Sequence, residues 1–326
     1  MSVPPAVSVV IPTYNRSELL RRAVLALAKQ DASSSTFEII VVDNNSSDDT
    51  RTTVQTLVDS GVGNLRYLRE QRQGNAYARN SGIKSSRGLI IAFLDDDVVV
   101  GRDWISTLQA AFDAHPDLSF VGGKVLPLWC EPPSSWLTVE HWSPLALIDY
   151  GLEELEVDGE TQLGLLTANI AFRREVFDDL GMFSPRLQRV KNSIGSLEDH
   201  EFLGRVYRSG RKGKYVPGLI ATSPVERERL TKDYHRRWHT GHGRFYAIMR
   251  DPEWERTGFR LLGVPAHLYR QTALDALLWI KSKVLGRNDE AFINERQLRF
   301  FAGFFHQRQK DVFNLNSFIK ARQVIL

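Results

Sequence analysis

One cysteine in 326 residues, Cys130, excludes two classes of protein. It leaves no partner for an internal disulfide and no thiolate set for a zinc site, so the chain can fold in a reducing compartment. Charge of one sign is also scarce. Lys and Arg number 42 against 39 Asp and Glu, a net charge of +3, which is too little for a general nucleic-acid binder. No apolar run approaches the ~18 residues of a membrane span. The first run, Val7 to Ile11, is short for a signal segment and has no basic residues before it. Glycine patterns that cradle phosphates are missing too. No G-x-G-x-x-G follows the first apolar run, which argues against a dinucleotide fold, and no Walker A pattern supports a P-loop NTPase. The expectation is a cytoplasmic protein, soluble or peripheral at the inner face of the membrane, that does not bind nucleic acid.

What is present is a globular balance, 42% hydrophobic and 25% charged. The length admits two domains or one α/β domain with a substantial extension. Val7 to Ile11, Glu38 to Val42, Leu65 to Leu68 and Leu89 to Leu94 are short, mostly apolar runs that read as strands. Between them lie helical patterns: one capped by Ser17, one opened by Asp48 and Asp49 and running through Val58, and one over Asn75 to Lys84. Alternating strands and helices with short connections predict an α/β fold with a mostly parallel sheet flanked by helices.

Ligands of such sheets bind beyond the carboxyl ends of the strands, and the chemistry-bearing residues collect there. Pro12-Thr13-Tyr14-Asn15-Arg16 follows the first strand, Asp43 to Asp49 the second, and Asp95-Asp96-Asp97 the fourth. Three adjacent carboxylates repel one another unless something cationic neutralises them. Asp95 and Asp97, two residues apart, suit a hard divalent cation also held by substrate phosphates. A solvated acidic turn is the plainer alternative for the triplet alone.

Taken in order, these segments resemble family 2 inverting glycosyltransferases of the GT-A (Rossmann-like) fold. Val7 to Arg16 resembles the family's opening segment, and Ile39 to Thr50 its uridine-binding strand and loop. Gly74 to Gly82 resembles the helix before the metal motif, and Asp95-Asp96-Asp97 the DxD motif itself. The likeness is dense over residues 6–100 and continues as an order of motifs to about residue 245. It implies a nucleotide-contact set of Pro12, Thr13, Tyr14, Asn15, Asp43, Asn45, Arg72, Arg79, Asp95 and Asp96. Asp43 would accept from the uracil imide and Tyr14 would pack on the base. Arg79 or Arg72 would meet the base or the phosphates, with a surface ion pair the alternative for Arg72. Asp97 would ligate Mn2+ or Mg2+, with Asp95 on the ribose or on a metal-bound water.

Thr167 to Arg174, then Leu180 to Phe183, then Gly195 to Leu203 match the family's Asn, Gly-x-Phe and Glu-Asp segments in order. Asp199 is the expected catalytic base, with Glu198 second; N-capping through Ser196 and Asp199 is the alternative. His235, His239 and His242 lie among arginines. Gly241 and Gly243 are expected to break that helix, which argues against a dedicated zinc site. The resemblance allows His242 or His239 as a late metal ligand, and likens Arg236 and Arg237 to basic residues near the diphosphate. Trp136 and Trp129, in the segment where the family adapts to its acceptor, are candidate acceptor platforms, with loop packing as the alternative.

The expected division is a catalytic domain over 1–225, with a nucleotide-sugar half over 1–100 and an acceptor and base half over 101–225. A helical C-terminal extension covers 226–326. Two apolar stripes mark that extension, Ala273 to Ile280 and Phe300 to Phe305, both with basic neighbours. Each fits anionic lipid, a partner subunit in a homo-oligomer, or internal packing. The implied activity is metal-dependent, inverting transfer of a sugar from a nucleotide diphosphate donor, UDP-linked, to a hydroxyl of a glycan or lipid-linked acceptor in surface polysaccharide assembly. Two alternatives remain. A nucleotidyltransferase would want a basic Gly-rich loop where this chain has Thr13-Tyr14-Asn15-Arg16. A catalytically silent GT-A scaffold sits poorly with intact Asp95-x-Asp97 and Glu198-Asp199.

Overall fold

A computed structural model describes residues 4–188, 194–252, 254–255 and 258–323. The chain divides into two compact units, one comprising Met1–Pro133, Leu137–Lys191 and Glu198–Arg227, the other Ser134–Trp136, Asn192–Leu197 and Glu228–Leu326.

In the first unit the opening order is β1 (Val7–Thr13), α1 (Ser17–Ala28), β2 (Phe37–Asp43), α2 (Thr50–Asp59), β3 (Leu65–Arg69), α3 (Asn75–Ser85) and β4 (Ile90–Leu94). It continues with β5 (Val99–Val100), α4 (Trp104–Ala114), β6 (Phe120–Trp129), β7 (Leu155–Val157), β8 (Asn169–Arg173), α5 (Arg174–Leu180), α6 (Glu198–Arg208) and β9 (Gly213–Val225). The sheet order is β3-β2-β1-β4-β8-β6-β9-β5, with β7 also on β9. The first four strands are mutually parallel, as their alternation with helices predicts. β8 is antiparallel to both β4 and β6, so β6 and β9 run with the first four while β5, β7 and β8 oppose them. The sheet is therefore mostly parallel, with helices packed on it.

The apolar faces of α3, α5 and α6 close one core over the sheet. Phe93, Phe172, Phe177, Phe183 and Phe202 meet there, with ring centroids 4.8 to 6.3 Å apart, a spacing at which aromatic pairs add to area burial. Gly82 of α3 lies against Val10 of β1, where any side chain would collide, so the helix sits close over the strand whose end carries the site. Asn169 is a buried polar residue with every bond made. Its amide donates to the carbonyls of Lys124 and Leu219, bridging the register shift between β6 and β9, and its oxygen accepts from Trp104 Nε1.

Helix starts differ from expectation in one respect. Ser17 is not the cap of α1. Arg16 holds that position, and the Ser17 N–H is instead taken by Asp48 Oδ2 at 3.0 Å. The other Asp48 oxygen receives the Thr50 N–H and hydroxyl at the start of α2. One carboxylate thus satisfies two helix N-termini.

The second unit holds α7 (Lys232–Met249), the hairpin β10 (Arg260–Leu261) and β11 (Val264–Pro265), α8 (Ala266–Val284) and α9 (Asn288–Gln323). Here the expected break at Gly241 and Gly243 is overturned: α7 runs through both. Their missing side chains serve packing, since Gly243 lies against the Phe300 carbonyl and Gly303 of α9 against the Thr240 carbonyl. Of the two apolar stripes, Phe300, Phe301 and Phe304 enter this unit's core, whereas the α8 stripe is exposed.

Candidate active site

The loops after β1 and β2 are tied together before any ligand is considered. Asn15 and Asn45 both adopt left-handed backbone, with φ of 53° and 65°, a region asparagine tolerates better than most residues. Asn15 donates its N–H to Ser46 Oγ and accepts from the Ser47 N–H, while Asn45 accepts from Arg69. Asp43, at the end of β2, is buried and accepts from the Ser46 N–H at 2.8 Å and from the Tyr67 hydroxyl at 2.6 Å. Burial and that bond push the Tyr67 hydroxyl up to about 12. Tyr14 lies exposed beside this loop pair. Pro12 and Thr13 are buried at the strand end.

Arg72 forms a two-pronged ion pair with Glu70 and lies over the Tyr77 ring. The Arg72 bonds, with help from Ser81, hold the Glu70 carboxyl down at about 2.

The acidic triplet follows β4, and its members occupy different environments. Asp96 is buried, accepting from the Thr13 hydroxyl at 2.7 Å and from Arg16 at 3.3 Å. Burial and the Asp97 charge push its carboxyl up to about 7, against the pull of Arg16 and Thr13. Asp97 pairs with the same Arg16 at 3.0 Å. Asp95 pairs with Arg79 at 3.1 Å and its side chain remains 36% exposed.

Arg79 is 2% exposed and its second amino group donates to Glu198 at 2.8 Å. One guanidinium therefore joins the acidic triplet to the first turn of α6. Glu198 is buried and its Oε2 has no partner. Burial, reinforced by the Asp199 charge and opposed by Arg79, pushes Glu198 up to about 7. Asp199 is partly exposed and accepts from the Thr167 hydroxyl at 3.5 Å and from the neighbouring His200 N–H. Ser196 makes no capping bond to it among the described residues.

Asp95, Asp97, Glu198 and Asp199 carry more negative charge than Arg16 and Arg79 supply. Hard oxygen donors in excess of local cations, two of them flanking one residue, fit a magnesium-like ion completed by phosphate oxygens and water. No cluster of three or more His, Cys, Asp or Glu side chains placed to hold a metal occurs among the described residues.

The remaining candidates are described within their own units. His242 lies on α7 in the second unit, stacked on Trp238 at 4.3 Å and edge-on to Tyr246. Trp136, also in the second unit, packs edge-on to His235 and Phe292, each at 5.1 Å. Trp129 ends β6 in the first unit, opposite Val225. Arg236 pairs with Glu295, and Arg237 with Glu228 and Asp233. Sequence reasoning missed Arg16, Tyr67 and Gln188. Gln188, which accepts from the Ala76 N–H at the start of α3, lies 112 residues away and left no local signal. Arg16 stood in the opening motif, and an arginine three residues after a strand end that faces an acidic triplet was the available clue.

A family model described as glycosyl transferase family 2 matches residues 8–181. The chain is 30% identical over 184 residues to glycosyltransferase AglE of Haloferax volcanii, covering 56% of this chain and 57% of that protein. It is 28% identical over 211 residues to a glucosyl-dolichyl phosphate glucuronosyltransferase of the same organism, covering 62% and 63%. The match thus spans about three-fifths of these curated relatives. Among solved structures, the mannosyltransferase PcManGT of Pyrobaculum calidifontis, in complex with GDP-Man and Mn2+, aligns over 94% of this chain and 88% of its own. That alignment has a TM-score of 0.62 and 17% identity. S. aureus TarS 1–349 in complex with UDP-GlcNAc aligns over 93% and 92%, with a TM-score of 0.54 and 19% identity. These structural likenesses speak to fold.

Proposed function

The chain belongs to glycosyl transferase family 2, with a GT-A fold, and from that premise we propose that it transfers a sugar from a nucleotide diphosphate donor to an acceptor hydroxyl, with inversion. The donor is UDP-linked and the acceptor is a glycan or lipid-linked saccharide. The observation that carries the reading is the double ion pair of Arg79. It holds Asp95, at the donor end of the sheet, and Glu198, beside the base candidate, on one rigid cation.

Each residue then has a task. The paired loops and Asp43 seat the base, with Tyr14 against its face. Asp95 and Asp97 would hold a divalent cation, which supplies Lewis-acid stabilisation of the leaving diphosphate. Arg16 donates to both Asp96 and Asp97 and so fixes the Asp97 carboxylate. Asp199 takes the proton from the acceptor hydroxyl as that oxygen bonds to the anomeric carbon and the nucleotide diphosphate departs with the bonding pair. The exposure of Asp199, against the burial of Glu198, favours Asp199 as the group that meets the acceptor. Glu198 positions Arg79.

Calorimetric titration of UDP, GDP and dTDP with and without manganese, on wild type and Asp97→Ala, tests this. Manganese-dependent UDP binding that Asp97→Ala weakens at least tenfold, about 1.4 kcal/mol, is expected. Preference for GDP would redirect the donor assignment. Absence of nucleotide binding under every condition would sink the transferase reading.

A further inference from the structure

The helix α8 is turned inside out for a surface helix. Leu274, Leu277, Ile280 and Val284 on its outer side are 47%, 63%, 49% and 81% exposed. Its inner line carries Asp275 and Ser282 with Leu268, three positions seven residues apart and hence on one face. A surface helix ordinarily turns its apolar stripe to the core and its charge to water. Here Asp275, the sole acid of α8, is the group turned inward, with one oxygen accepting from Gln271 and the other buried without a partner. Outside, Arg270, Lys281 and Lys283 are exposed, and none of the three is ion-paired among the described residues.

The hairpin leading into α8 repeats the pattern. Its turn is Leu262-Gly263, and Leu262 has a φ of 48°, an uncommon and strained conformation for leucine. Phe259, Leu261 and Leu262 are 72%, 54% and 49% exposed. The hairpin is latched to the helix: the Ala266 N–H donates to the Phe259 carbonyl and the Tyr269 hydroxyl to the Leu261 carbonyl. A two-residue hairpin turn needs positive φ at both central positions, and asparagine or glycine meets that need more readily than the exposed leucine found here.

We propose that the β10–β11 hairpin and the outer face of α8 form a docking surface for an anionic phospholipid bilayer. The leucines enter the boundary between headgroups and acyl chains, and Arg270, Lys281 and Lys283 meet lipid phosphates. Among the described residues no helix is long and apolar enough to cross a membrane, so the contact lies on the bilayer. Charge decides between a bilayer and a second copy. A two-fold contact through this face would bring the same unpaired cations together, whereas an anionic surface complements them. The inference rests on the second unit alone and stands or falls separately from donor binding.

Flotation of the full chain with phosphatidylcholine vesicles, and with vesicles containing phosphatidylglycerol, tests it. Binding to the anionic vesicles that weakens in high salt is expected. Leu277→Glu with Ile280→Glu should reduce it at least tenfold, as should Leu262→Asp at the hairpin tip. Lys281→Glu should cost about fivefold on anionic vesicles. Unchanged melting and unchanged calorimetric UDP titration in these variants would show that only docking was lost. Failure of wild type to float with any vesicle would overturn the proposal. A wild-type dimer in sedimentation velocity that becomes monomeric in Leu277→Glu with Ile280→Glu would also overturn it, assigning the face to a second copy.

Discussion

Arg79 donates a 2.8 Å hydrogen bond to Glu198, both residues buried, across 119 positions of sequence. A buried pair of this kind is worth little against an apolar replacement of both partners, but removing one leaves the other buried without its partner. Arg79→Ala should therefore cost about 3–5 kcal/mol in urea unfolding. Arg79→Lys, which keeps the charge but lacks the planar fork that reaches Asp95 as well, should fall between that variant and wild type. Equal stability of Arg79→Ala and wild type would show the pair to be dispensable.

The same pair gives stability a pH dependence whose sign runs opposite to most carboxylates. Glu198 is raised from an ordinary 4.5 to about 7. Between those values the folded state holds a proton that the unfolded chain has released, so stability falls as pH rises and the loss is complete above about 7. Asp96 acts in the same direction, while Glu70, held at about 2, contributes stability that is lost only as pH falls below 4.5. Glu198→Gln removes the Glu198 titration alone. Urea midpoints at pH 5 and pH 8 should converge for that variant relative to wild type; an identical pH slope in both would refute the assignment.

The parallel half of the sheet was legible because its inner strands β1, β2 and β4 are buried along their length and read as mostly apolar runs ending at Thr13, Asp43 and Leu94. The antiparallel insertion of β8 was not, since Asn169 to Arg173 carries no mark of strand direction. In the site, the acidic triplet announced itself by composition. What the triplet binds internally did not: Arg16, at the N-cap of α1, and Arg79, inside α3, read as ordinary helix arginines until folding brings them within 3.3 Å of it. Gly241 and Gly243 misled for a related reason. Glycine weakens a helix locally, but a neighbouring helix that packs on the bare backbone more than repays that cost.

Asp199 and Glu198 are adjacent in sequence yet separable by kinetics. Asp199→Asn keeps the shape of the side chain and removes its basicity, so kcat should fall by about 10²–10⁴ with UDP affinity unchanged. Glu198→Gln should leave a bell-shaped or rising pH–rate profile in place and reduce kcat less, because Glu198 acts through Arg79. Were Glu198→Gln the more damaging variant at every pH, the base would have to be reassigned.

Gly243 and Gly303 set the crossing of α7 and α9. A methyl group at either would strike a carbonyl of the facing helix, Phe300 for Gly243 and Thr240 for Gly303. Backbone cannot move aside as a side-chain tip does, so the helices must separate and loosen the packing around Phe300, Tyr246 and Trp254. An overpacked core of this kind costs about 1–3 kcal/mol, set against about 1 kcal/mol that alanine gains over glycine in a helix. Gly243→Ala should therefore destabilise the second unit despite its better helix propensity. Hydrogen exchange locates the effect: faster exchange in α7 and α9, with the strands of the first unit protected as before. A stabilised Gly243→Ala would mean that propensity outweighs the close approach of the helices.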